Sequence, residues 1–227
     1  MQRAYIDVDT QVDFCAPEGA LFVRGAPAAM PNCTRLVRAA VAAGAPLLGS
    51  VDSHAHDAWE FLTNRRVGPN GEDPRFPPHC VKGTPGWLKL PETLPARFFF
   101  VPVVPDAEAA ARVPDDTQGV YFEKEVYSLF ANPNAAAVLE ARLPAGPVEF
   151  VVFGVATDYC VRAAALGLLG WIAERAGRAG SRVCVAVDAV AAVTEAGGAS
   201  ALGAMRDAGV RLASTTELLD APTGLKV

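Results

Sequence analysis

Short apolar runs alternate with longer segments of mixed polarity along the whole chain. Residues 5–8, 46–51, 98–104, 119–122, 148–155, 183–187 and 210–214 read as strands. Between them, residues 32–43, 134–143, 160–176 and 199–208 are rich in Ala and Leu and read as helices. The first ends at Gly44, and Pro144 and Gly146 follow the second. The run 148–155 is almost continuously apolar, as expected for a strand covered on both faces. This alternation predicts βαβ units with right-handed crossovers. The expected fold is α/β, three layers deep, with a mostly parallel central sheet between helices. Segments 62–78 and 105–118 are rich in Pro, Gly and charge and read as excursions from one domain spanning residues 1–227. The segment after Leu219 is expected to be loose.

Composition narrows the function classes. A chain of 227 residues that is 51% hydrophobic can bury one sizeable core. Charged residues are only 20%, the net charge is -5, and no Lys/Arg block appears, so nucleic-acid binding gains no support. No apolar run reaches the roughly 18 residues that a membrane span needs. Met1-Gln2-Arg3 leads straight into the first strand without the apolar stretch of a secretory signal, so a cytoplasmic location is expected. The five cysteines, Cys15, Cys33, Cys80, Cys160 and Cys184, are odd in number and widely spaced. That argues against a disulfide framework or a zinc knuckle and for free thiols.

Candidate chemistry collects at strand ends. Asp9 follows the first strand, Asp52 and His54 the second, Lys124 the fourth, and Thr157, Asp158 and Cys160 the fifth. In a parallel sheet these ends share one edge, where reactive groups gather. Cys160 lies between a buried strand and a helix, where the helix dipole would lower its pKa and backbone N–H groups could bind an oxyanion. Asp9 could serve as its base and Lys124 could hold both in useful charge states. Each also has an ordinary reading: a buried cysteine, an aspartate capping a turn, a surface lysine among glutamates. Asp7 and Asp13 fit that structural reading better still. The three histidines, His54, His56 and His79, all fall between positions 54 and 79. Asp52 and His54 lie on one side of an extended segment, and His79 follows two stiffening prolines. Such a set suits zinc, iron or manganese, with His56, Asp57 or Glu60 as a further ligand.

Five stretches then carry a resemblance: Asp9-Thr10-Gln11-Val12-Asp13-Phe14-Cys15, Val51-Asp52-Ser53-His54, the stretch from Phe76-Pro77-Pro78-His79-Cys80 to Gly86, Glu123-Lys124, and Gly154-Val155-Ala156-Thr157-Asp158-Tyr159-Cys160-Val161. In this order the chain resembles the nicotinamidase/pyrazinamidase branch of the isochorismatase-like cysteine hydrolases, over about residues 5–218. The resemblance implies the fold of those hydrolases and a triad of Asp9, Lys124 and Cys160. It implies one divalent transition metal (Zn, Fe or Mn) held by Asp52, His54 and His79. Glu60 stands where many members carry His and is favoured over His56 as the further ligand. It also implies a cis peptide between Val155 and Ala156, aiming the Ala156 and Cys160 N–H groups at one oxyanion.

The implied reaction is deamidation of nicotinamide to nicotinate and ammonia through a Cys160 thioester. The pyridine nitrogen would face the metal, and Phe14 and Phe76 would pack the ring. Val12 and Phe76 stand where the family often has Asn and Trp, which leaves fine substrate preference open. Rival readings are a relative acting on a carbamoyl or ureido amide or a vinyl ether, a hydrolase using metal-bound water, and a silent pyridine-carboxylate binding protein. Acceptance of pyrazinamide stays open. So does homo-oligomer formation, with helix 160–176 and its Trp171 as core or as interface.

Overall fold

The structure, a computed structural model, describes residues 1–220. The expectation for the chain after Leu219 therefore falls almost wholly outside the described residues. Seven strands form one sheet: β1 (Gln2–Val8), β2 (Leu47–Asp52), β3 (Phe98–Val101), β4 (Gly119–Lys124), β5 (Val148–Val155), β6 (Arg182–Ala191) and β7 (Arg211–Ala213). Their order is β3-β4-β2-β1-β5-β6-β7, and every pairing is parallel. The helices are α1 (Val12–Cys15), α2 (Ala26–Ala42), α3 (Ala109–Arg112), α4 (Ala135–Arg142), α5 (Arg162–Ala173), α6 (Glu195–Asp207) and α7 (Thr215–Asp220).

The sheet separates two apolar cores, which is why its central strands are apolar on both faces. On one face Ile6, Leu48, Phe122, Phe150 and Val152 pack with Val138 and Leu139 of α4, Leu168 and Trp171 of α5, and Met205 of α6. On the other, Tyr5, Leu47, Val151 and Phe153 meet Cys33, Leu36, Val37 and Ala40 of α2 and Leu218 of α7. Trp171 belongs to the first core, edge-on to Phe150 with ring centroids 6.1 Å apart. The αβα architecture is the one the alternation predicts. At the amino-terminal edge of the sheet, Glu149 is buried between Arg3 at 2.6 Å and Arg182 at 2.7 Å, with Arg211 farther off at 3.7 Å.

Element ends differ from expectation for local reasons. Helix α2 starts at Ala26, before Pro31, because burial of Ala26, Ala29 and Met30 carries the helix through a proline that normally marks a boundary. Strand β3 stops at Val101, ahead of Pro102. Strand β6 runs on to Ala191 across a register shift opposite Val152 and Gly154. At Gly154 φ is +115° and a Cβ would lie 2.0 Å from the Val8 carbonyl oxygen, so only glycine fits there. Helix α6 begins at Glu195, capped by Thr194, whose side chain accepts the Gly197 N–H.

Candidate active site

The four central strands β4, β2, β1 and β5 deliver the candidate groups to one edge. Strand pairing sets Asp52 directly beside Lys124 and brings the β1 end next to Ser50. The chain leaves β1 through Asp9 in the left-handed region, φ 47°, which aspartate tolerates better than most residues. Its Oδ1 accepts a hydrogen bond from Ser50 Oγ at 2.7 Å, and its Oδ2 lies 2.8 Å from Lys124 Nζ. Lys124 Nζ also lies 3.0 Å from Asp52 Oδ1 and 3.5 Å from Cys160 Sγ. Asp9 and Lys124 are fully buried and Cys160 nearly so. The lysine among glutamates is thus interior, shared by two carboxylates and a thiol.

Electrostatics follow from that burial. Desolvation opposes a charge on Lys124, but Asp52, Asp9 and Cys160 outweigh it and hold the ammonium well above its ordinary pKa. Burial also opposes Asp52, yet Lys124 and the two imidazoles keep its carboxyl well below the usual range. Cys160 departs from the sequence expectation. Burial pushes its thiol well up; Lys124 pulls the other way, and Asp9 and Asp52 add to the rise. The residue sits in a π-helical turn, Thr157–Val161, that precedes α5. There desolvation opposes the thiolate, against the gain that a helix start would give. The peptide bond between Val155 and Ala156, just ahead of this turn, is cis.

The excursion between β2 and β3 carries a second cluster. Backbone bridges pair His54 with Val81 and Phe61 with Phe76, folding the segment back on itself. Asp52, His54 and His79 each place a ligand atom within 4.8 Å of the others. Glu60 Oε1 joins them, 3.1 Å from His54 Nε2 and 3.4 Å from His79 Nε2. Asp52 Oδ2 lies 3.2 and 3.4 Å from the same two atoms. Ligands about 2.0–2.1 Å from a tetrahedral ion are separated by about 3.3–3.4 Å, so these contacts have the right span. His79 Nδ1 donates to the Pro77 carbonyl at 2.9 Å, which turns Nε2 toward the cluster. His54 Nε2 and Glu60 Oε1 are buried without a hydrogen-bond partner. A shared cation satisfies all four groups, so the residues fit a divalent metal. His56 and Asp57 are exposed, and Asp57 is paired with Arg66.

Cys160 of the first cluster and Asp52, Glu60 and His79 of the second line one pocket of about 100 Å³. Phe14 and Phe76 line it and flank His79, with ring centroids 5.6 and 5.7 Å from the imidazole. Tyr127 and Tyr159 pack together at 5.2 Å on another side.

The isochorismatase domain family matches residues 3–217. The chain belongs to this family. Among curated proteins, it is 32% identical to the nicotinamidase/pyrazinamidase of Mycobacterium tuberculosis over 212 residues, covering 92% of this chain and 97% of that one. Among solved structures, a pyrazinamidase of Pyrococcus horikoshii in complex with zinc is 27% identical, with a TM-score of 0.68 over 94% of this chain and 99% of that one. A nicotinamidase/pyrazinamidase from Bacillus subtilis shares the fold at 24% identity and a TM-score of 0.68, over 94% and 100% of the two chains.

The structure brings Asp9, Lys124 and Cys160 together in this family member, and Asp52, His54, Glu60 and His79 together beside them. Sequence reasoning missed three features around them. Ser50 holds Asp9. Tyr127 and Tyr159 wall the pocket, and their separation in sequence hides their pairing. Asp7 and Lys89 form a further buried pair at 3.0 Å behind the site. Among the described residues, no helix is long and apolar enough to cross a membrane.

Proposed function

We propose that this protein deamidates nicotinamide to nicotinate and ammonia, with Cys160 as nucleophile, Asp9 as proton carrier and Lys124 as the charge that couples them. One observation carries the reading: a buried Asp–Lys–Cys group presents its thiol in a small aromatic-walled pocket that is also lined by Asp52, Glu60 and His79, three of four convergent side chains that fit a metal. The names of the relatives agree with it. Asp52, His54, Glu60 and His79 would hold a divalent metal, with zinc the first choice given the zinc-bound relative, and that metal would supply a Lewis-acidic contact to orient a ring nitrogen.

Phe14 and Phe76 pack the ring and keep bulk water from the carboxamide. Asp9 takes the Cys160 proton as the sulfur attacks the amide carbon, which suits a thiol whose pKa burial raises. Lys124 stabilises the thiolate as it forms. The Ala156 and Cys160 N–H groups hold the oxyanion. Asp9 returns the proton to the amine nitrogen as the C–N bond breaks and ammonia leaves. Water then attacks the thioester while Asp9 accepts its proton; the C–S bond breaks, Asp9 returns the proton to the sulfur to regenerate the Cys160 thiol, and the acid leaves and ionises to nicotinate.

The test is ammonia release from nicotinamide by the parent and by Cys160→Ala, before and after metal removal by a chelator. The expected result is turnover by the parent that is lost on stripping and restored by zinc, with none from Cys160→Ala. Turnover retained in that variant would overturn the assignment of the nucleophile. An inactive metal-loaded parent would move the substrate to a carbamoyl, ureido or ester compound.

A further inference from the structure

We infer that Gln11 and Asp13 form a bracket that sets the geometry of the metal-ligating side chains from the segment that bears Asp9. The inference rests on the metal-site reading above and extends it to two residues that do not line the pocket. Gln11 is fully buried. Its Oε1 accepts the Asp52 N–H at 2.7 Å, and its Nε2 donates to the Asp52 carbonyl at 2.8 Å. One side chain thus clasps both polar groups of the Asp52 backbone, as a neighbouring strand would. Its second amide proton goes to the Trp87 carbonyl at 2.8 Å.

Asp13 grips the other metal-bearing segment. Its Oδ2 accepts the Cys80 N–H at 2.7 Å, next to His79, and its Oδ1 accepts the Ala20 N–H at 3.0 Å. Cys80 has φ 44°, a conformation that a residue with a side chain rarely holds without an anchor. Room for that anchor is made at Gly86, where a Cβ would lie 2.1 Å from Asp13 Oδ2. Asp52 and His79 come from separate segments, yet their ligand atoms must meet, and they do at 3.4 Å. Residues 11 and 13 are the bridge between those segments, two and four positions after Asp9. The structural reading of Asp13 as a turn-capping aspartate is therefore incomplete. Gln11 and Asp13 are positioning residues, acting through the backbone of the ligands.

Zinc affinity of the metal-stripped protein, measured by competition with a chromogenic chelator, tests this. Gln11→Met keeps length and loses all three hydrogen bonds, and Asp13→Ala loses its two. Each is expected to weaken zinc binding about 10–100-fold, the usual cost of removing an outer partner of a metal ligand. Asp13→Asn keeps an acceptor for the Cys80 N–H and should recover most of the affinity lost in Asp13→Ala. Val138→Ala, in the core on the far side of the sheet, should lower the thermal midpoint and leave zinc affinity unchanged. Zinc binding within twofold of the parent in both bracket variants would overturn the inference. So would an equal loss of affinity in Val138→Ala. If Gln11→Met does not fold, Asp13→Ala against Asp13→Asn decides the question. A parent that binds zinc but releases no ammonia overturns the proposed function and leaves the bracket standing; a parent that binds no zinc overturns both.

Discussion

Two buried aspartates, Asp7 on β1 and Asp9 at its exit, each pair with a lysine from elsewhere in the chain, and the two pairs are connected differently. Asp7 and Lys89 form a closed unit. Lys89 Nζ lies 3.0 Å from Asp7 Oδ2 and donates to Thr10 Oγ1 at 2.8 Å, and it sits 4.4 Å from the centre of the Tyr121 ring. Thr10 completes the unit by donating to Asp7 Oδ1 at 2.9 Å. None of these groups lines the pocket. Asp9 and Lys124 form an open unit, because Lys124 is shared with Asp52 and Cys160. The protonation behaviour follows. Burial dominates Asp7 and lifts its carboxyl above the usual range despite Lys89. Asp52, on the open unit, is held well below that range by Lys124 and two imidazoles in spite of burial. The two pairs differ in what their lysines reach: Lys89 has Asp7, Thr10 and the Tyr121 ring, whereas Lys124 has Asp9, Asp52 and the pocket-lining thiol of Cys160.

The sharpest way to break this comparison is to remove each lysine. Lys124→Met leaves Asp9 and Asp52 buried without their counter-charge, and turnover of nicotinamide should fall by about 10²–10⁴-fold. The next effect is on stability. Lys89→Met strands Asp7, and the folded state should lose about 3–5 kcal/mol in denaturant unfolding. Turnover per folded molecule should stay close to that of the parent. Replacing both partners, Asp7→Leu with Lys89→Met, should restore most of the lost stability, since a well-packed apolar pair commonly replaces a buried ion pair without cost. A double variant as unstable as the single one would show that the closed unit does more than satisfy itself.

The smallest effect comes from a carboxylate without any lysine. Burial opposes the charge on Glu149, but hydrogen bonds and charge from Arg3 and Arg182 outweigh it and lower its pKa. For an acid with a lowered folded value, the stabilising share is complete above the unfolded value of about 4.3 and is lost as pH falls through the folded one. The thermal midpoint of Glu149→Gln should therefore lie below the parent's near neutrality, and the gap should close in acid. A gap independent of pH would assign the effect to packing.

Much of this was legible in the sequence. Asp9, Asp52, Lys124 and Cys160 could be placed because a parallel sheet gathers strand ends on one edge, so naming the strands nearly names the site. Glu60 could not be separated from His56 and Asp57 by spacing, and the chain outside the sheet had to fold before burial distinguished them. Gln11 was visible only as part of a stretch that carries the resemblance, and Lys89 carried no signal, since their roles depend on the left-handed exit at Asp9 and on backbone groups far along the chain. The direction of the Cys160 shift was misjudged for a related reason. A helix start is visible in sequence, whereas the depth at which it is buried is not. Extension of α2 through Pro31 likewise reflects tertiary contacts overriding a local boundary signal.

The metal cluster joins two kinds of structure, and this has a kinetic consequence. Asp52 ends a central strand with a neighbour on either side, whereas His54, Glu60 and His79 ride on a segment tied by isolated bridges. Amide exchange in central strands proceeds near the free energy of global unfolding, and segments with fewer ties open more cheaply. An ion held by both would therefore leave by way of the excursion, with a residence time set by local opening of that segment, while the spacing of Asp9, Asp52 and Lys124 would last as long as the folded sheet.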